Sequence, residues 1–302
     1  MSTKIEQYIP YFLSLLFLSL ISCCHFSRVR LDPKSQDFYE TARLVMTKEE
    51  RNIYLHLPDL KSREEFIEDF WAKRDPDPDT EENEFKKEFF RRIEYVNTHF
   101  REGIPGWKTD RGRIYIYLGP PDKIEERPFI NDPAIKGIIW WGYYRYRLAV
   151  EFIDTRGDGS YTINQQTGDY GNLLQMINRA KFGQIFATDE EETYIDFNLR
   201  YDREKKEIII SIPVESLIFK SEDKNLKADF AFVFYLYEKD GPKKDKFEEI
   251  TTFERPKEEI IQMKEVVFTF SYDLKPGAYF IDVIITVNPD MGKGRKIFEI
   301  KS

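Results

Sequence analysis

Two polar segments in the first half of the chain contain side chains that could take part in chemistry. They are "RDPDPDTEENE", which begins at Arg74, and "GWKTDR", which begins at Gly106. If the segments meet in the folded protein, Glu84 and Asp110 could act as acid and base on a glycan. The arginines could instead bind a carboxylate or a phosphate. The candidate cluster comprises Arg74, Asp75, Glu84, Trp107, Thr109, Asp110 and Arg111.

The same residues also have a structural interpretation, which the sequence favours. Trp107 is large enough to be a core plug between a helix and a sheet, with one partner needed for its indole N–H. In "TDRG", Asp110 can accept hydrogen bonds from following amides, and Gly112 can adopt a positive φ. The charged side chains would then form an ion-pair network that locks helix to sheet. We therefore name no catalytic residue.

The segments next to the candidate cluster predict both strand and helix. Residues 113–118, "RIYIYL", alternate Ile or Leu with Tyr, which predicts a short strand ended by "GPPD". The strongest helix is predicted for residues 80–102, because Phe85, Phe89, Ile93, Val96 and Phe100 follow a 3.6-residue period. Gly103 is a suitable residue to end it.

Shorter helices are predicted on both sides of these segments. One covers "SQDFYETARLVM", and the capping boxes "TKEE" (residues 47–50) and "SREE" (residues 62–65) begin two more. Three segments that follow residues 113–118 read as strands, namely "GIIWWGYYRYR", "LAVEFID" and "YTI". The next segment, "YGNLLQMINRAKF", reads as a helix. These elements predict an α+β domain over residues 37–186.

The last third of the chain reads as an all-β domain over residues 193–302. Seven short strand patterns follow one another, and Phe230, Phe232 and Phe234 alternate strictly with their neighbours. Strands of this number and spacing predict a β-sandwich of immunoglobulin-like type. The acidic stretch 187–193 predicts the boundary between the two domains.

The N-terminus reads as a lipoprotein signal peptide over residues 1–22. Lys4 precedes an apolar run, Tyr11–Ile21, that is too short to span a bilayer as a helix. Leu20-Ile21-Ser22-Cys23 then resembles a bacterial lipobox, which implies cleavage before Cys23 and lipidation of its side chain. The alternatives are an ordinary signal peptide or an uncleaved anchor. Residues 23–36 are polar and aperiodic, which indicates a tether.

Composition narrows the function classes. The net charge is −8 and no sustained basic stripe occurs, which argues against a nucleic-acid partner. Cys23 and Cys24 are the only cysteines, so the folded part contains no disulfide and no thiolate metal site.

Other motifs in the chain are weak. "DTRGDG" places Asp154, Asp158 and Gly159 at a spacing that resembles a calcium loop, but Arg156 occupies a ligand position, which favours a simple turn. The three histidines show no metal spacing. We expect no metal and no cofactor.

Together, the two polar segments resemble the GWxTD domain family of bacterial exported proteins. Gly106, Trp107, Thr109 and Asp110 form the pattern that gives the family its name, and "FWAKRDPDPDTEENEF" matches a second signature. The resemblance covers roughly residues 38–163. It implies an exported bacterial protein and supplies no activity and no site residues.

These features lead to two functional hypotheses. The first is a non-catalytic interaction or assembly module, anchored by lipid in the cell envelope at the periplasmic face of the outer membrane, with an envelope protein or polymer as partner. The second is an enzyme that acts on a cell-wall or extracellular polymer through Glu84 and Asp110. The two differ in whether the charged cluster is buried and paired or open in a cleft.

Overall fold

The computed structural model describes residues 31–127, 133–185, 194–239, 241, 244–287 and 292–302. Cys23, the signal peptide, most of the predicted tether and the predicted boundary at residues 187–193 lie outside these ranges. None of the helices within them has the length and apolar character needed to span a bilayer.

Helices surround a small sheet in the N-terminal part. The helices are α1 (Pro33–Ala42), α2 (Lys48–His56), α3 (Leu60–Ala72), α4 (Glu84–His99), α5 (Asp110–Leu118) and α6 (Tyr170–Lys181), and a 3₁₀ turn spans Gly106–Lys108. The antiparallel sheet has the order β1-β2-β3-β4, with strands β1 (Lys123–Arg127), β2 (Gly137–Tyr143), β3 (Leu148–Asp154) and β4 (Thr162–Ile163). Together these elements form an α+β unit.

Helix α1 begins inside the segment predicted to be a tether. Asp32 caps it by accepting the Ser35 amide at 3.0 Å, and Pro33 occupies the first helical position, where the missing N–H costs nothing. The "TKEE" capping box is confirmed, because the Thr47 and Glu50 side chains accept each other's backbone amides. The "SREE" box is wrong: the N-cap of α3 is Asp59, three residues before Ser62, and the helix begins at Leu60.

The segment predicted as a strand over residues 113–118 is the helix α5. Thr109 caps this helix, and Ile114, Tyr115, Ile116, Tyr117 and Leu118 are all buried. These last five residues of α5 form no amphipathic stripe because all of them are buried, so their alternating Ile and Tyr residues imitate a strand. The long helix is confirmed in its central part as α4, which has Phe85, Phe89 and Val96 fully buried.

The C-terminal part is a β-sandwich of the predicted immunoglobulin-like type. One sheet has the order β10-β6-β5 and the other β12-β11-β8, with β7 and β9 also pairing with β8. The strands are β5 (Asn198–Asp202), β6 (Glu207–Pro213), β7 (Lys220–Glu222), β8 (Asn225–Glu238), β9 (Lys244–Pro256), β10 (Glu265–Ser271), β11 (Ala278–Val287) and β12 (Lys293–Lys301). A short helix, α7 (Lys257–Gln262), follows β9.

The two faces of β8 serve two different cores. Phe230, Phe232 and Phe234 lie between the two sheets of the sandwich and are fully buried there. Tyr235 and Tyr237 belong instead to the core of the N-terminal helices. The helical unit therefore packs against the outer face of the sandwich, and the period of two in β8 creates both surfaces.

Candidate functional site

The glycine of the "GWKTD" motif is required for close packing against α4. A Cβ atom on Gly106 would stand 1.8 Å from the Val96 carbonyl oxygen. A Cβ on Gly112 would likewise stand 1.9 Å from the Gly106 carbonyl oxygen. Gly112 therefore serves close approach inside a helix, and the prediction that it adopts a positive φ is wrong.

Thr109 and Asp110 join the 3₁₀ turn, α5 and the sheet. The buried Thr109 hydroxyl donates to the Gly106 carbonyl at 2.8 Å and accepts the Gly112 amide at 2.9 Å. Asp110 accepts the Ile163 amide of β4 at 2.9 Å and pairs with Arg113. Both motif residues therefore have structural partners within the unit, as the structural interpretation predicts.

Trp107 is only half-buried, so its interpretation as a core plug is wrong. Its ring packs at the edge of the core, where the cationic groups of Arg43 and Lys108 lie 5.5 and 5.0 Å from the ring centroid. The large buried indole between helix and sheet belongs to Trp141 of β2, which is 2% exposed. Next to Trp107, Arg111 forms an ion pair with Glu102 at 2.6 Å.

The other polar segment lies at the far end of α4. Glu84 is the first residue of this helix and accepts the Thr80 hydroxyl at 2.9 Å. Burial and the nearby Glu84 carboxylate raise the pKa of Asp75. The Trp107 amide meets the same helix near its other end, at Asn97. Thirteen residues of helix correspond to about 20 Å, so Glu84 and Asp110 are too far apart to act as an acid–base pair.

Arg74 belongs to a buried charge network that links the two units. Its guanidinium binds the Glu50 carboxylate at 2.6 Å and the carbonyl oxygens of Val45, Phe70 and Lys181. The other carboxylate oxygen of Glu50 binds Arg295 of β12 at 2.7 Å.

The same network continues through Asp282 of β11. Its carboxylate accepts from Arg295 at 2.9 and 2.7 Å and from Lys73 at 2.8 Å. All the side chains in the network are at most 2% exposed. Lys73 is therefore a counterion for Asp282 of the sandwich, Arg74 is a counterion for Glu50, and neither side chain belongs to an open ligand site.

The electrostatics of the network follow from burial and charge pairing. Burial alone would raise the pKa of Glu50, but the adjacent Arg74 and Arg295 guanidinium groups lower it to about 2. Asp282 has its pKa lowered in the same way, by Arg295 and Lys73 acting against the effect of burial. For Lys73, burial outweighs the attraction of Asp282 and lowers its pKa. Both carboxylates therefore stay ionised at neutral pH.

An open groove on the outer face of the N-terminal sheet is the best candidate for a binding surface. Its volume is about 500 Å³, within the usual range for ligand sites of roughly 300–1,000 Å³. Three sheet strands and the loop before α6 line it, through Lys123, Glu125, Trp140, Gly142, Ala149, Glu151, Thr167, Gly168 and Asp169. We call this feature the Trp140 groove.

The floor of the Trp140 groove is low because two small residues face each other across adjacent strands. Gly142 of β2 pairs with Ala149 of β3. Trp140 precedes this glycine by two residues and Tyr144 follows it by two, so the floor lies between two aromatic side chains. Tyr144 is 66% exposed and its ring lies 3.6 Å from where a Gly142 Cβ would stand.

Trp140 is held in a fixed orientation beside this floor. Its indole N–H donates to Glu151 on the neighbouring strand, and Glu151 also accepts the Asn164 side-chain amide at 2.5 Å. The Arg127 guanidinium lies 4.2 Å from the ring centroid. Arg127 pairs with Ile138, which lies on the side of Trp140 away from Gly142. The Trp140 side chain lines the groove beside this floor.

The sequence contained a signal for this groove that the strand prediction did not use. In "GIIWWGY" the side chains alternate, so one tryptophan of the adjacent pair must face outward. Gly142 and Ala149 can be recognised as the floor of a groove only when the register of β2 with β1 and β3 is known.

Other candidate motifs are explained by local structure. Asp154 accepts the amides of Arg156, Gly157 and Gly159, and both glycines have a positive φ, so "DTRGDG" is a turn. Within the described ranges, no group of three or more His, Cys, Asp or Glu side chains is placed to hold a metal ion.

Comparison with known proteins gives a family-model match and several distant structural likenesses. None of the curated proteins matches this chain. Among solved structures, the chicken interferon gamma receptor alpha chain is 11% identical, with 61% of this chain and 98% of that chain covered and a TM-score of 0.21. The fold assignment therefore rests on the strands themselves. The family model of the GWxTD domain matches residues 30–132. The chain thus contains a GWxTD domain over this segment, as its two signatures predicted.

Proposed function

We propose that this chain is a lipid-anchored protein of the bacterial cell envelope and that it works as a non-catalytic interaction module. The apolar run Tyr11–Ile21, followed by the lipobox-like Leu20–Cys23, supports export and lipidation. The proposed location is the periplasmic face of the outer membrane.

The Trp140 groove is the observation that carries the interaction role. An indole oriented by hydrogen bonds before any ligand arrives lowers the entropic cost of binding. In contrast, Arg74, Thr109 and Asp110 are committed to contacts that hold the fold together. The groove is therefore the surface through which we expect the protein to bind an envelope component.

The alternative role, an enzyme working through Glu84 and Asp110, has no geometric support. Glu84 begins α4, whereas Asp110 begins α5 near the other end of α4, and each carboxylate is bound to partners of its own. An acid–base pair that flanks a glycosidic bond is separated by at most about 9.5 Å.

The anchor is tested by fractionation of cells that express Cys23→Ser or, as a matched control, Cys24→Ser. We expect Cys23→Ser to release the protein from membranes and Cys24→Ser to leave it there, since stable anchoring needs more than one acyl chain. Mass spectrometry should find lipid on Cys23 of the wild type. An unmodified mature N-terminus would refute the anchoring part of the proposal.

The interaction role is tested with the soluble Cys23→Ser protein, mixed with envelopes from cells that lack the chain. We expect it to sediment with the envelopes, and we expect Trp140→Ala to abolish this sedimentation. Thr269→Val, on an exposed position of the distant β10, is the control and should sediment normally. Equal sedimentation of all three proteins would refute the role of the groove.

A further inference from the structure

We infer that the Trp140 groove binds a saccharide chain that carries no anionic groups. This inference rests on the proposed function and names the class of its ligand.

The shape of the groove suits a ring. The floor of Gly142 and Ala149 is bordered by Trp140, and the Arg127 guanidinium lies over the same indole ring. A pyranose ring presents an apolar C–H face that can stack against an indole, as flat apolar surfaces do against aromatic rings. The exposed Tyr144 on the other side of Gly142 offers a second surface to a neighbouring sugar unit.

The polar groups around the floor suit hydroxyl donors. Glu125, Glu151 and Asp169 line the groove, and a carboxylate is an acceptor with about four lone-pair sites. Glu151 already accepts two protein N–H groups, and Asp169 accepts the Ala149 amide at 3.1 Å, so both are held in position. Each retains lone pairs for hydroxyl groups at the edge of a sugar ring.

Charge excludes the anionic alternatives. The lining contains three carboxylates and one ammonium group, Lys123, which is paired with Glu125 at 2.6 Å. A phosphate, a lipid headgroup with net negative charge or a uronic acid would meet like charge in this groove. The cation site over Trp140 is already taken by Arg127, which disfavours a basic peptide.

The test follows the indole N–H signals of the four tryptophans in ¹H–¹⁵N spectra, with the Trp140 signal assigned through Trp140→Phe. The probes are cellohexaose, chitohexaose and hexaglucosamine, with hexagalacturonate as the anionic counterpart and pentalysine as the peptide counterpart. We expect at least one of the first three to shift the Trp140 signal, and neither counterpart to do so.

A variant that fills the floor supplies the matched comparison. A Cβ on Gly142 would meet its nearest neighbours at an ordinary 3.6 Å, so Gly142→Val should fold normally and yet weaken saccharide binding by more than about tenfold. Thr269→Val adds the same side chain to a distant strand and should bind like the wild type. Unchanged affinity in Gly142→Val would refute the inference.

The outcomes separate this inference from the proposed function. If no saccharide shifts Trp140 but sedimentation with envelopes depends on Trp140, the ligand class is wrong and the interaction role stands. A shift by pentalysine alone would assign the groove to a basic peptide. If sedimentation does not depend on Trp140, the proposed role of the groove itself is wrong.

Discussion

The buried charge network should respond very unequally to the loss of one anion and the loss of one cation. Three cations, Lys73, Arg74 and Arg295, face two anions, Glu50 and Asp282. Asp282→Asn leaves the buried Lys73 without its counterion and leaves Arg295 with Glu50 alone. Lys73→Met instead removes one positive charge and leaves Asp282 bound to Arg295 through two hydrogen bonds.

The magnitudes follow from these partners. Asp282 accepts three charge-assisted hydrogen bonds of 2.7–2.9 Å. Removing one partner of such a buried pair costs about 3–5 kcal/mol, so we expect Asp282→Asn to lower the free energy of unfolding by that amount. For Lys73→Met we expect a change below about 1.5 kcal/mol, because a hydrophobic group of similar length fits the site. That site is aromatic, because the centroid of the Tyr235 ring lies 4.5 Å from the Lys73 nitrogen.

Guanidinium denaturation of the three proteins measures both changes. Asp273→Asn serves as the surface control, because its ion pair with Lys206 is more than half exposed on both sides and should contribute little to the stability. Equal losses of unfolding free energy in Asp282→Asn and Lys73→Met would refute the idea that the network has one cation more than it needs. A loss below about 1 kcal/mol in Asp282→Asn would refute burial of the network.

Three further predictions concern Glu50, Gly106 and the pair Trp141 and Trp107. The pKa of Glu50 lies at about 2, below its ordinary 4.5, so the stabilisation that its carboxylate provides is complete above about pH 5 and is lost as the pH falls towards 2. Lowering the pH over this range should therefore reduce the free energy of unfolding of the wild type by about 3 kcal/mol more than that of Glu50→Gln. Gly106→Ala should prevent folding or lower the free energy of unfolding by more than about 3 kcal/mol, as measured by thermal denaturation. Gly171→Ala is the control: its added Cβ would have no neighbour within 4 Å, so it should not lower the stability. Trp141→Ala should lower the free energy of unfolding by about 3–5 kcal/mol, and Trp107→Ala should lower it by less because Trp107 is half-buried. Equal losses of stability in the two variants would support the interpretation of Trp107 as a core plug.

Elements with a local period could be predicted from the sequence. The strands of the sandwich and the centre of α4 repeat their apolar residues every two or 3.6 positions, and the structure has them there. The capping box at Thr47 is also local, since it joins residues three positions apart. The prediction for α5 was wrong because the last five residues of this helix are all buried, although Thr109, a good N-cap residue, stands immediately before it.

The candidate site could not be predicted, because its contacts join distant parts of the chain. Lys73 and Arg74 look like part of a solvated helix end until Asp282 and Arg295 are placed against them. The Trp140 groove depends in the same way on the register of three strands. Residue types indicated which side chains could do chemistry, and tertiary packing decided which of them face solvent.

The network between the two units also has a consequence for the order of folding. Lys73 is 209 residues from Asp282, and Glu50 is 245 residues from Arg295. Contacts between residues so far apart in the sequence form late, and they reduce the rate of folding. As the chain is synthesised, the helical unit emerges first and cannot neutralise Lys73 until β11 and β12 have followed. A chain truncated before β11 would therefore keep exposed aromatic surface and unmatched charge, the features of an aggregation-prone intermediate.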